Sequence, residues 1–207
     1  MTSGEIQKTI HDFYGFPPEL FAVEYPAKGN PELAKETAEL LAPNSVIETE
    51  SWGLDHGAWS VIRHLYPEAQ IPVIQISIDY TQPAQYHFDL AKKLQKLREK
   101  GILIIGSGNV VHNLRMIDWK NINTVGAGWD WAIEARAKTN EWILDGNFQN
   151  LIHFEKQGTA LQNAIPTPDH YLPLIYTLGL KEKSDNISLF NDELIGGSLS
   201  MTSVFVG

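Results

Sequence analysis

The stretch from Ile71 to Gly106 constrains the fold more than any other part of the chain. "IPVIQISID" (71–79) is apolar and rich in β-branched residues, which reads as a strand. "PAQYHFDLAKKLQKLREK" (83–100) then starts at Pro83 and sets Phe88, Leu90, Ala91, Leu94 and Leu97 on one helical face. Gly101 breaks that helix, and "ILIIG" (102–106) reads as the next strand. Strand, amphipathic helix and strand make a βαβ unit, so the two strands are expected to run parallel in one sheet. Strands apolar on both faces call for helices on both faces. The expected fold class is α/β: a mostly parallel or mixed central sheet between helices, in a single domain over 1–207.

The second strand leads into "GSGNVVHN". In open α/β sheets, ligands bind beyond the C-terminal ends of the strands. Gly106 and Gly108 allow a sharp turn there, and His112 is expected at the rim where a site would lie, as a structural residue or a catalytic one. The stretch lacks the third glycine of a dinucleotide fingerprint and the Gly-Lys-Ser/Thr of a phosphate loop. Ser107 also falls one position too early for the nucleophile elbow of a serine hydrolase.

Elsewhere, Asn30 and Pro31 signal a helix start, Leu33, Ala34, Ala38, Leu40 and Leu41 line it, and Pro43 ends it. Further helices are expected over 56–67, 129–146, 148–158 and 166–179, and 197–207 reads as a closing strand. Three histidine settings stand out besides His112. His56 follows Asp55 in "LDHGAW", at a helix start where Asp55 is either a cap or a partner. His170 lies in "PTPDHYLP", where Pro168 and Pro173 place it in the first turn of a helix. The helix dipole disfavours an imidazolium there, and a neutral imidazole binds metal or acts as a base; a capping or packing histidine is the other reading. His11 lies in "TIHDFYGFPPELF", an aromatic-rich loop that either docks by its phenylalanines or forms a wall for a planar ligand. His64, His87 and His153 read as surface or packing residues.

The chain contains no cysteine, so disulfides and thiolate ligands are excluded. Its 25 acidic against 16 basic residues give a net charge of −9, and no basic cluster suits nucleic acid. "KKLQKLREK" (92–100) reads as a solvated helix face. No apolar run is long enough to span a membrane, and the first residues lack the apolar core of a signal peptide, so a cytoplasmic protein is expected.

In order along the chain stand "TIHDFYGFPPELF", "YPAKGNPELA", "WGLDHGAW", "YPEAQIPVIQISID", "LIIGSGNVVHNLR", "NAIPTPDHYLPLIYTLG" and "GSLSMTSVFVG". Together they resemble the DOPA-dioxygenase-like branch of the class III extradiol ring-cleaving dioxygenases. The resemblance implies an α/β domain holding one non-haem divalent metal, Fe(II) or Zn(II), that opens a catechol such as DOPA with O2. It implies His170 as a metal ligand, and His112 at the metal as an acid/base or additional ligand. It further implies His56 as a group that binds or protonates substrate, and His11 near the pocket mouth. The imidazoles of His56, His112 and His170 are then expected to converge. Members of that branch also carry His-Gly-Ser-Pro and Ser-Ala-His-Trp motifs at the ends of two early strands, each supplying a ligand histidine. Neither motif occurs here. The first two family strands are therefore expected to be missing, through truncation, a misassigned start or donation by a partner chain. That expectation brings an open strand edge and apolar surface that suit homo-oligomer formation. An inactive remnant or interaction module of the same fold, and a metal-dependent hydrolase, are the alternative readings.

Overall fold

The computed structural model describes residues 1–44 and 46–207. Contacts divide the chain into two units, Met1–Ile78 and Asp79–Gly207.

The first unit holds helices α1 (Pro18–Phe21), α2 (Pro31–Leu41) and α3 (His56–Leu65). The capping signal before α2 acts as its residues predict: Asn30 Oδ1 accepts from the Leu33 N–H at 2.9 Å, and Pro31 occupies the first helical position. Asp55 caps α3 in the same way, accepting from the Ala58 N–H at 2.9 Å. Tyr25, Ala27, Leu54, Trp59 and Ile62 form the buried core of this unit, with Phe13, Val23 and Val73 packed against it. Its extended segments meet through isolated bridges, Thr2 with Thr49 and Thr9 with Leu54 in parallel and Ile6 with Lys28 in antiparallel sense.

The second unit contains α4 (Ala84–Lys93), α5 (Gln95–Arg98), α6 (Asp130–Leu144), α7 (Phe148–Ile152), α8 (Thr159–Ala164) and α9 (Leu172–Gly179). The helix expected over 83–100 is thus two pieces that meet at Leu94, and their apolar face is buried through Leu90, Ala91, Leu94 and Leu97. α4 packs on α9, where a Cβ on Gly179 would come within 2.8 Å of the Ala91 Cβ. α9 begins six residues later than expected, because 166–171 is held in turns. The chain ends in two antiparallel pairs. β1 (Ile187–Phe190) pairs with β4 (Ser203–Val206), and inside it β2 (Leu194–Ile195) pairs with β3 (Leu199–Ser200). The closing strand over 197–207 is present as β3 and β4.

The parallel βαβ pair is a correction. Among the described residues, neither 71–79 nor 102–106 is a strand, and the sheets are the two antiparallel pairs. Neither segment takes up regular structure, because a strand exists only through hydrogen bonds to a neighbouring backbone. Residues 71–79 find single bonds, Val73 N–H to Lys28 O at 2.8 Å and Thr2 N–H to Gln75 O at 2.9 Å. Residues 103–108 make no backbone hydrogen bond among the described residues. The architecture shown is helices with a small sheet. Among the described residues, no helix is long and apolar enough to cross a membrane.

Candidate active site

His112 is held by backbone on three sides. Its N–H donates to Ala164 O at the end of α8, at 2.9 Å. On one flank, the Ser200 N–H donates to Val111 O while the Val111 N–H donates to Ser200 Oγ, both at 3.0 Å. On the other, the Asn113 N–H donates to Ser198 O, and Ser198 Oγ–H donates to Asn113 O at 2.8 Å. Asn113 Nδ2 reaches Asn163 O at 2.7 Å. The β2–β3 hairpin and the end of α8 therefore fix the segment that carries His112. Gly106 and Gly108 serve this placement by allowing close approach rather than by opening space. A Cβ on Gly106 would stand 2.5 Å from Pro173 O, and one on Gly108 would stand 2.2 Å from His170 O.

That approach brings His112 onto His170. The two rings stack with centroids 3.7 Å apart and planes 7° from parallel. Asn109, between Gly108 and His112, donates its N–H to His170 O at 2.9 Å. His170 sits in the turn before α9, two residues ahead of the first helical residue, and not in the helix's first turn as expected. Its immediate electrostatic neighbour is accordingly a side chain: Asp169 Oδ2 accepts from His170 Nδ1 at 2.5 Å. Burial pushes the Asp169 carboxyl up, but hydrogen bonding from Thr167 and the charge of His170 outweigh it and hold the group below the usual carboxylate range. His112 is also lowered from its ordinary value, and strongly. Burial first, and the neighbouring His170 charge second, bring its pKa down to about 4.

A divalent ion lies about 2.0–2.1 Å from an imidazole nitrogen, in the plane of the ring. With the rings parallel and stacked, an ion in the plane of one lies off the plane of the other. The pair as arranged offers one ligand and one adjacent imidazole. His170 suits the first role, because Asp169 fixes Nδ1–H and leaves the Nε2 lone pair, the usual carboxylate–histidine arrangement behind a metal. His112 suits proton handling better than ligation. Among the described residues, no group of three His, Cys, Asp or Glu side chains could hold a metal ion. The residues present thus fit part of a metal site.

His11 and His56 belong to the first unit. Both rings meet Phe13 edge-on, at 6.0 and 5.7 Å between centroids. His11 Nε2 donates to Val23 O at 2.9 Å, which leaves Nδ1. Phe13, Phe16 and Phe21 of this loop cluster with one another, and His11 and Phe13 also meet Trp59 of α3. His56 is not served by its sequence neighbour Asp55, which caps α3 and accepts from Gln75 Nε2. Its partner is Asp12, which sequence reasoning missed. Asp169 was also missed, although it stands beside His170 in the same motif. Of the remaining histidines, His64 and His153 are exposed. His87 is buried in α4 between Tyr176 Oη, at 3.1 Å, and Asp79 O, at 3.0 Å, a packing residue as expected.

Over residues 1–202 the chain matches the family model for the catalytic LigB subunit of aromatic ring-opening dioxygenase. The chain belongs to this family. It is 42% identical over 210 residues to a 4,5-DOPA dioxygenase extradiol of Escherichia coli strain K12, covering 100% of this chain and 76% of that protein. A 4,5-DOPA dioxygenase extradiol of Beta vulgaris is 33% identical and covers 96% of this chain and 74% of its own length. The crystal structure of an uncharacterized protein from E. coli K12 superposes with a TM-score of 0.79 at 37% identity, over 98% of this chain and 78% of that one. The resemblance read from the ordered motifs is borne out. By family and relatives, this member is an extradiol aromatic ring-opening dioxygenase.

Proposed function

We propose that the substrate is a catechol of the DOPA type, opened outside its diol with O2 at a non-haem divalent metal, Fe(II) or Zn(II). The observation that carries this reading is the stacked pair of His112 and His170, with Asp169 behind the second ring. Relatives named for a DOPA dioxygenase support the substrate class. His170 would hold the metal through Nε2, with His112 beside it as an acid/base or an additional ligand. When bound, the metal supplies a common centre at which diol and dioxygen are brought together.

The chain's own residues do the rest. His112 stays neutral across the ordinary working range, so its lone pair can accept a catechol hydroxyl proton and return it later in the reaction. His56 binds or protonates the substrate, and His11 with its aromatic neighbours lines the pocket mouth. We read the two units as parts of one catalytic domain, because the family match runs through both.

Oxygen uptake tests the proposal. The protein, loaded with Fe(II) or Zn(II) and offered a panel of catechols that includes DOPA, is expected to consume one O2 per ring and form a yellow ring-opened product. Failure to turn over any catechol, with tight stoichiometric metal demonstrated in the same sample, overturns it. Turnover of esters or amides without O2 would favour a hydrolase on the same fold.

A further inference from the structure

His56 leaves the first turn of α3 with its ring half exposed. Its Nδ1 stands 2.8 Å from Asp12 Oδ1, and the same oxygen accepts the His56 backbone N–H at 3.0 Å. One carboxylate oxygen therefore holds both the backbone and the ring of a residue 44 positions away. Phe13 meets the ring edge-on, which restricts its rotation from another side. The neighbouring Asp55 has both its oxygens committed, Oδ1 to the Ala58 N–H and Oδ2 to Gln75 Nε2. Asp12 is thus the carboxylate that faces His56.

A carboxylate at Nδ1 has a definite chemical effect. It keeps the proton on Nδ1, so the lone pair of the neutral ring is on Nε2, pointing away from Asp12. When Nε2 takes up a proton, the resulting imidazolium stands against a fixed negative charge. This is the orienting role that a buried aspartate plays behind the general-base histidine of hydrolytic triads. Burial acts against the Asp12 charge, but the backbone and ring hydrogen bonds from His56 outweigh it and keep the carboxyl below the usual range.

We propose that Asp12 is a positioning residue for His56, fixing its tautomer and aim so that Nε2 is the atom offered to the catechol substrate. This deepens the functional reading above and rests on it for the identity of the substrate.

Imidazole nitrogen chemical shifts of the ¹⁵N-labelled full chain test the dyad without requiring turnover. His56 is expected to show Nδ1–H and a bare Nε2. Asp12→Ala, which removes the acceptor at Nδ1, is expected to let the proton shift to Nε2, the form a free imidazole favours, and Asp12→Glu is expected to keep it on Nδ1. In oxygen-uptake assays, Asp12→Ala is expected to lower kcat ~100-fold with KM for the catechol little changed, and Asp12→Glu to recover most of the loss. A merely structural contact would move neither the tautomer nor kcat at constant KM. An unchanged tautomer in Asp12→Ala overturns the proposal, as does a tautomer change that leaves kcat intact. Absence of turnover in the unaltered protein would count against the proposed function instead, and the nitrogen shifts would still decide the dyad.

Discussion

At the scale of single residues, each candidate histidine is defined by what stands behind it. Asp169 orients His170, Asp12 orients His56, and His112 has a second imidazole across its face. The last arrangement has a thermodynamic consequence. His112 titrates near 6.5 in the unfolded chain and at about 4 in the folded one. Folding therefore favours its neutral form. The corresponding stability is fully present above pH 6.5 and is lost as pH falls through the window down to about 4. Urea midpoints at pH 7.5 and pH 5 are expected to fall less in His112→Gln than in the unaltered protein. Part of the fall remains, because burial depresses His87 in the same direction. In oxygen uptake, His112→Gln is expected to lose ~100-fold in kcat. The candidate histidines were legible because the motifs carry them. Of the carboxylates, Asp169 is adjacent to its partner and could have been read, whereas Asp12 meets His56 only through the path of the aromatic loop.

Elements were legible where local chemistry decides them. The cap at Asn30, Pro31 after it and the apolar face of α4 all act as their residues require. They were illegible where a neighbour decides. The apolar character of 71–79 and 102–106 says that these segments extend, not which backbone they bond. The three prolines at 166, 168 and 173 likewise signal a helix but not that the first two delay its start to Leu172. The approach of 106–108 to the start of α9 is the element contact on which the site depends. Gly108→Ala puts a Cβ against His170 O at 2.2 Å, and backbone on both sides must give way. The Asn109 N–H bond to the same carbonyl is the first to be lost. A cost of about 1–3 kcal/mol is expected from overpacking of this kind, read as a lower urea midpoint. Oxygen uptake is expected to drop by more than that loss of folded protein explains, since the His112–His170 stack is displaced as well. Equal losses in both readouts would show that the glycine serves stability alone.

For the whole molecule, the order of motifs carried the family, because a site assembled from distant segments leaves its residues scattered but in sequence. The central sheet did not follow in the same way, and its segments are where the surface is least settled. Residues 103–108 present a run of backbone groups without hydrogen bonds among the described residues, with Leu103 62% and Ile105 41% exposed. A segment with unpaired backbone groups pairs with another as a sheet edge does, and charge on it is the usual deterrent. The net charge of −9 opposes association in general but does not act at this edge, where 102–110 carries no charged residue. Light scattering of the purified chain is therefore expected to show mass above the monomer that grows with concentration. Ile105→Lys is expected to reduce it, because a second copy would then bury an ammonium against an apolar segment. Lys120→Ile, far from this segment in sequence and exposed, is the control that should leave edge pairing unchanged. If Ile105→Lys associates as strongly as the unaltered chain, the edge is not what brings copies together.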